Sequence, residues 1–191
     1  MNLYAKLCER EAAGRPVAVG VIGAGKFGTM FLAQARLTRG RHVVGVADLD
    51  PGGDRAQLAG AGWDAPRYAA ASLDEALRTG RTHVGPDAEA LFALAELEVI
   101  VEATGVPAAG IRHALAAIRH GKHIVMVNVE ADALVGPLLA PCGRSRQGHA
   151  LRAALPPLDP RHGVGIAEQH IEELARIGAD RGGRERDAHV E

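Results

Sequence analysis

Glycines 23, 25 and 28 close the segment Val17-Ala18-Val19-Gly20-Val21-Ile22-Gly23-Ala24-Gly25-Lys26-Phe27-Gly28. An apolar strand that breaks into Gly-x-Gly-x-x-Gly and then opens a helix is suited to holding a pyrophosphate. Gly23 permits the tight turn. Gly25 has no Cβ, so a phosphate can approach the backbone. Gly28 lets the helix pack closely on the strand. The N–H groups freed at the helix start, with the positive end of the helix dipole, then hold the negative charge. The loop Gly23, Ala24, Gly25, Lys26, Phe27 and Gly28 is therefore the candidate cofactor cradle. Lys26 is in reach of a phosphate, although a solvated loop lysine is the plainer reading.

A second chemical group follows at the right distance. The stretch Arg41-His42-Val43-Val44-Gly45-Val46-Ala47 reads as a buried strand, short and rich in β-branched residues. Asp48 comes next, about twenty residues past the last glycine, where a carboxylate accepts hydrogen bonds from adenosine ribose hydroxyls. The alternative is that Asp48 only starts the turn Asp48-Leu49-Asp50-Pro51-Gly52-Gly53. Strand, glycine turn and acid together favour a dinucleotide site. A carboxylate here repels a 2′-phosphate and leans the site towards NAD over NADP, while Arg55, just downstream, could meet such a phosphate.

Two further strand ends carry candidate groups. Glu98-Val99-Ile100-Val101-Glu102 is a buried strand that runs into Ala103, Thr104 and Gly105. In an open parallel sheet ligands sit beyond the carboxyl ends of the strands, so these small residues can lie against the nicotinamide half of a cofactor. A strand-end turn without a ligand is the competing reading. Lys122-His123-Ile124-Val125-Met126-Val127-Asn128 is the next strand, followed by Val129-Glu130-Ala131-Asp132. Asn128, Glu130 and Asp132 are candidates for acid–base catalysis or for positioning a substrate hydroxyl. Capping of the helix or turn that follows explains Glu130 and Asp132 equally well. Lys122 and His123 fall at the opposite end of their strand and are poor catalytic candidates.

The elements that position these groups follow from the pattern. Residues 2–13 form an amphipathic helix with Leu3, Leu7 and Cys8 on one stripe. Strand 17–22, helix 27–38 and strand 43–47 make a first βαβ unit. A helix spans 53–60, and Trp63 and Tyr68 flank a short strand or turn. Ser72, with Glu75 three residues later, starts a helix that ends at Gly80. Pro86-Asp87 opens a helix through Ala95. The helix from Ala108 to His120 stops at Gly121. Short apolar strands alternating with helices predict an α/β fold, a Rossmann-like doubly wound parallel sheet. The domain organisation is an N-terminal helix (1–14), the nucleotide-binding sheet domain (15–140) and an atypical tail (141–191).

The tail differs in composition. All Phe, Trp, Tyr and Lys residues fall within 1–140, whereas 141–191 is rich in Arg, His, Gly, Pro and Ala. Only Gly165 to Gly178 has helical spacing, through Ile166, His170, Ile171, Leu174 and Ile177. The remainder is expected to be irregular or disordered. Our hypothesis is a shifted reading frame in a GC-rich coding sequence, which would give this mixture. An uninterrupted frame through codon 141 in independent isolates would overturn it.

Composition bounds the function classes. A chain of 191 residues accommodates one α/β domain and an appendage. The formal net charge of −1 gives no footprint for nucleic acid or a membrane surface. No apolar run reaches spanning length, and the first fifteen residues lack a signal-peptide core. Cys8 and Cys142 have neither metal nor redox spacing, so no metal is expected and a cytoplasmic location is. An open sheet edge makes a homo-oligomer a possibility.

Three segments together carry a family resemblance: Gly-Ala-Gly-Lys-Phe-Gly at 23–28, Val-Ile-Val-Glu-Ala-Thr-Gly at 99–105, and Gly-Lys-His-Ile-Val-Met-Val-Asn-Val-Glu-Ala-Asp at 121–132. The chain resembles the N-terminal domain of homoserine-dehydrogenase-like oxidoreductases over roughly residues 3–140. It is most similar to the branch called 1-deoxyxylulose-5-phosphate reductoisomerase-like (DRL). The resemblance implies that Gly23, Gly25, Gly28 and Asp48 bind NAD or NADP, with Thr104 and Gly105 near the nicotinamide. Homoserine dehydrogenases proper carry Asn-Lys at the corresponding strand end. Here Val129 follows Asn128, which favours the DRL-like branch and puts homoserine as substrate in doubt. The family continues into a substrate-binding catalytic domain after Gly136-Pro137-Leu138-Leu139, and the chain departs from it at Pro141. The expected function is an NAD(P)-dependent oxidoreductase of small carbonyl or hydroxy compounds, represented by its cofactor domain and weakly active or inactive alone. The alternatives are a non-catalytic dinucleotide-binding or regulatory module and a nonfunctional remnant.

Overall fold

The computed structural model of the chain describes residues 2–144. The expected helix at 165–178 and most of the atypical tail lie outside the described residues.

Five parallel strands form one sheet: β1 (Val17–Ile22), β2 (Arg41–Ala47), β3 (His83–Gly85), β4 (Val99–Glu102) and β5 (His123–Met126). Their spatial order is β3-β2-β1-β4-β5. The strand order reverses between β1 and β4, which are hydrogen-bonded neighbours in the register Ile22 to Glu102. In open α/β sheets such a switch point opens a crevice at the carboxyl ends of the strands.

The helices cover both faces because successive β1 side chains point to opposite sides. Ile22 packs with Val44, Ile100, Leu91 and Phe92 on one face. Val19 and Val21 pack with Leu32, Leu58 and Trp63 on the other. The first face is built by α4 (Leu73–Thr79), α5 (Ala88–Ala93) and part of α6 (Pro107–His120). The second is built by α2 (Lys26–Ala35) and α3 (Pro51–Gly60). Trp63 donates its indole N–H to the Leu32 carbonyl at 3.0 Å, so this large side chain is buried without an orphaned donor. A further cluster joins Ile111, Leu115 and Ile118 of α6 to Ala131, Val135 and Leu139 of α7 (Val129–Arg144).

Start and stop signals work as the sequence suggests. Ser72 Oγ accepts from the Glu75 N–H at 3.1 Å, and Glu75 reaches back to the Ala71 N–H at 2.8 Å. Gly121, at φ 67°, ends α6 in the left-handed conformation. Asp87 caps α5 by accepting from the Ala90 N–H at 3.1 Å.

The structure departs from these expectations at three places. The strand β3 was not expected, because its three residues contain one large apolar side chain and show no alternation. It is held by Thr82 Oγ1, which donates to the Val43 carbonyl at 2.6 Å, and by pairing with β2. In α1 (Leu3–Ala12), Leu7 and Cys8 are half-buried while Leu3 is exposed. The Arg10–Glu98 ion pair at 2.6 Å anchors the carboxyl half of that helix and leaves its start projecting. Finally, α7 continues through Pro141 to Arg144, past the residue where the composition changes.

Candidate functional site

The glycine turn sits at the switch point. Gly23 has φ 92°, a conformation that L side chains rarely adopt. A Cβ there would come within 2.7 Å of the Ala103 and Thr104 backbone, so the β1 and β4 strand ends can meet only through glycine. The Gly23 N–H donates to the Ala47 carbonyl at 2.9 Å, and the Ala103 N–H donates to the Ile22 carbonyl at 2.8 Å. A Cβ on Gly28 would collide with the Gly23 carbonyl oxygen, because α2 begins directly against the strand.

Gly25 is different in kind. It is the N-cap of α2, no side chain caps the helix there, and a Cβ added to it meets nothing within 4 Å. The space above Gly25 is open, and no side-chain cap takes the N–H groups that begin α2. That is the cradle a pyrophosphate requires: unpaired donors, the positive end of a helix and no side chain in the way. Ala24 is buried, while Lys26 and Phe27 are exposed on the outer side of the turn.

Asp48 stands beside this turn. Its Oδ2 accepts from the Ala24 N–H at 2.6 Å and its Oδ1 from the Leu49 N–H at 2.6 Å. Its own N–H donates to the Gly85 carbonyl at 3.2 Å. Asp50 caps α3 by accepting from the Gly53 N–H at 3.0 Å. Asp54, in the first turn of α3, is buried, and its Oδ2 has no hydrogen-bond partner. Burial, reinforced by the charges of Asp48 and Asp50 and opposed by Arg55, pushes its carboxyl up to about 6. Arg55 donates from Nη2 to the Val84 carbonyl at 2.8 Å and from Nη1 to the Pro51 carbonyl at 3.2 Å, so its guanidinium is tied to backbone.

At the end of β4 the structure adds a group that the sequence reading passed over. Glu102 is fully buried, and its Oε1 accepts from the Thr104 hydroxyl, from the Thr104 N–H at 3.3 Å and from His113 Nδ1 at 3.3 Å. Burial alone would raise this carboxyl, but the hydrogen bonds from His113 and Thr104 outweigh it and hold Glu102 below its usual range. Glu102 was visible as the charged end of an apolar strand, yet no local spacing links it to His113, eleven positions on. Gly23, Asp48, Leu49, Pro86, Thr104, Val106 and the α6 residues Ala109, Arg112 and His113 line one cleft of about 330 Å³.

The three acid–base candidates follow the neighbouring strand, and Asn128 Nδ2 and Glu102 Oε2 both border Gly110. Asn128 is buried at the end of β5 and caps α7, its Oδ1 accepting from the Ala131 N–H at 3.2 Å. Glu130 and Asp132 are exposed in the first turn of α7. Asp132 faces a separate cleft of about 300 Å³ between α6, β5 and α7. The structure thus brings Gly23, Asp48 and Thr104 together and sets Asp132 apart from them.

A parallel sheet of order 3-2-1-4-5, with an open glycine turn at its switch point and an acid at the next strand end, is a Rossmann-like dinucleotide-binding domain. The chain belongs to the homoserine dehydrogenase NAD-binding domain family. The family model described as "Homoserine dehydrogenase, NAD binding domain" matches residues 19–140. No curated protein matches the sequence. Among the described residues no helix is long and apolar enough to cross a membrane.

Proposed function

We propose that the chain supplies the cofactor-holding part of an NAD-dependent oxidoreductase of the homoserine dehydrogenase/DRL-like type, acting on a small carbonyl or hydroxy compound. The observation that carries the reading is the open space above Gly25 at the start of α2, flanked by Asp48. In this reading the loop 23–28 holds the pyrophosphate, Asp48 the adenosine ribose, and Ala103, Thr104 and Gly105 lie towards the nicotinamide. The bound cofactor supplies hydride transfer, and the protein supplies binding and orientation. The lean to NAD rests on electrostatics. Asp48, Asp50 and Asp54 gather negative charge where a 2′-phosphate would come, and the Arg55 guanidinium is occupied by carbonyls.

Glu130 and Asp132 are proposed as the acid–base pair, since both are exposed near the carboxyl end of β5, and Asn128 as the residue that fixes their helix. The setting proposed is cytoplasmic, with Cys8 as a free thiol. Titration of NADH and NADPH into the full chain, followed by calorimetry, tests the cofactor reading. Tighter binding of NADH supports it, and equal or tighter binding of NADPH contradicts the preference. Turnover of carbonyl compounds that survives Glu130→Gln and Asp132→Asn together would remove those two residues from the chemistry.

A further inference from the structure

The two edges of the sheet are finished differently. At the β3 edge, Ala70 bridges His83, and the Ala70 N–H donates to the Thr82 carbonyl at 3.3 Å, so the chain itself runs along that strand. At the other edge, β5 pairs with β4 alone. The His123 and Val127 N–H groups donate to the Glu98 and Glu102 carbonyls, each at 2.9 Å. Alternate residues of a strand aim their N–H and C=O groups to opposite sides, so those of Ile124 and Met126 point away from the sheet. Among the described residues no backbone group pairs with them.

The side chains along this open edge are apolar. Val125 is 51% exposed. Ile124 and Met126 are half-buried and line a cleft with Val135 and Leu139. The neighbouring α7 exposes Val129 and Leu134. Open backbone groups flanked by apolar side chains are a template for another strand. Charge sets the direction of that strand. The amino end of β5 is basic, with Arg119 and His120 in the last turn of α6 and Lys122 just before the strand. The carboxyl end is acidic, with Glu130 and Asp132 in the first turn of α7. A second copy laid antiparallel along β5 sets the acidic end of each chain against the basic end of the other.

We propose that β5 is the surface at which two copies of this chain join, edge to edge, around a two-fold axis at Val125. Ile124 then faces Met126 of the second copy, and Met126 faces its Ile124. These are the residues whose backbone groups point outwards, so each pair exchanges both N–H···O bonds. The two Val125 side chains meet on the axis. The sequence of β5, His-Ile-Val-Met, suits the place, whereas residues 145–191 contain no two adjacent β-branched or aromatic residues. The inference does not depend on the dinucleotide reading.

Sedimentation equilibrium of the full chain over a dilution series, with amide hydrogen exchange on the same samples, tests it. The expected result is reversible association to twice the 19.9 kDa chain mass, with exchange at Ile124 and Met126 slowing as the dimer fills. Val125→Lys places like charges opposite each other on the axis and is expected to weaken association about fivefold or more. Its exposed position leaves the far-ultraviolet circular dichroism unchanged. A chain that stays monomeric at every concentration overturns the proposal. A dimer whose Ile124 and Met126 amides exchange as fast as in the monomer also overturns it, because the contact then lies on another face. Slow exchange of those amides already in the monomer overturns it too, since later residues of the same chain would then cover the edge. The exchange measurement needs no variant.

Discussion

Asp48 Oδ2 accepts a hydrogen bond from the Ala24 N–H at 2.6 Å, tying the end of β2 to the glycine turn at the end of β1. One carboxylate thus orders the glycine turn and, in the proposed function, also faces the ribose. Asp48→Ala is expected to weaken NADH binding by about tenfold or more, the scale of a charged hydrogen bond, and NADPH binding less. Faster amide exchange at residues 24–28 is expected in the same variant. Unchanged exchange there would show that the loop does not depend on Asp48.

Two glycines of one motif separate binding from folding. Gly25→Val adds atoms where nothing lies within 4 Å, so cofactor binding is lost while Tm changes by at most about 3 °C. Gly28→Ala puts a methyl group on the Gly23 carbonyl and is expected to lower stability by roughly 1–3 kcal/mol. Thermal melts of both variants, with NADH titrations, check the pair. A large Tm loss in Gly25→Val would contradict the open space above it.

Asp54 sets a pH dependence with a definite sign. Its folded carboxyl, pushed up to about 6, holds its proton more tightly than the unfolded chain does. Stability from this group therefore falls as pH rises from the ordinary carboxylate range through about 6, and the cost is complete above that. Asp54→Asn is expected to stabilise the chain at pH 8 by about 2–3 kcal/mol, roughly 5–10 °C in Tm. The gain should shrink towards pH 4. Melts at the two pH values decide it, and a gain independent of pH would remove the carboxyl as the cause.

Glu102 acts in the opposite sense. Its carboxyl is held below the usual range, so its contribution is present above that range and is lost as pH falls through the lowered value. Glu102→Ala leaves His113 Nδ1 and the Thr104 hydroxyl without their acceptor and opens a void in the interior. A loss of roughly 2–4 kcal/mol is expected by chemical denaturation at pH 7. A loss under about 0.5 kcal/mol would show that the cluster adds nothing to the fold.

Much of this architecture was legible in residue order. The apolar β-branched runs at 17–22, 43–47 and 98–102 mark buried strands, and Ser72, Asp87 and Gly121 mark helix ends. The glycine spacing and Asp48 mark the switch-point turn, the place the proposed function gives to the cofactor, because a strand-to-helix turn of this kind is a local backbone property. β3 was not legible: three residues with one valine take their strand geometry from β2. The Glu102–Thr104–His113 cluster was not legible either, since its members meet only after β4 and α6 are packed. The tethering of Arg55 to the Val84 and Pro51 carbonyls is also tertiary, and it weakens the expectation that this arginine meets a 2′-phosphate.

The central claim is that the open turn at Gly25 holds a dinucleotide. Calorimetric titration of NADH into the full chain, beside the Gly25→Val variant at matched Tm, tests it most directly. The account predicts saturable one-to-one binding in the wild type and none in the variant. Equal affinity in the two proteins, or no binding heat in the wild type, would contradict it.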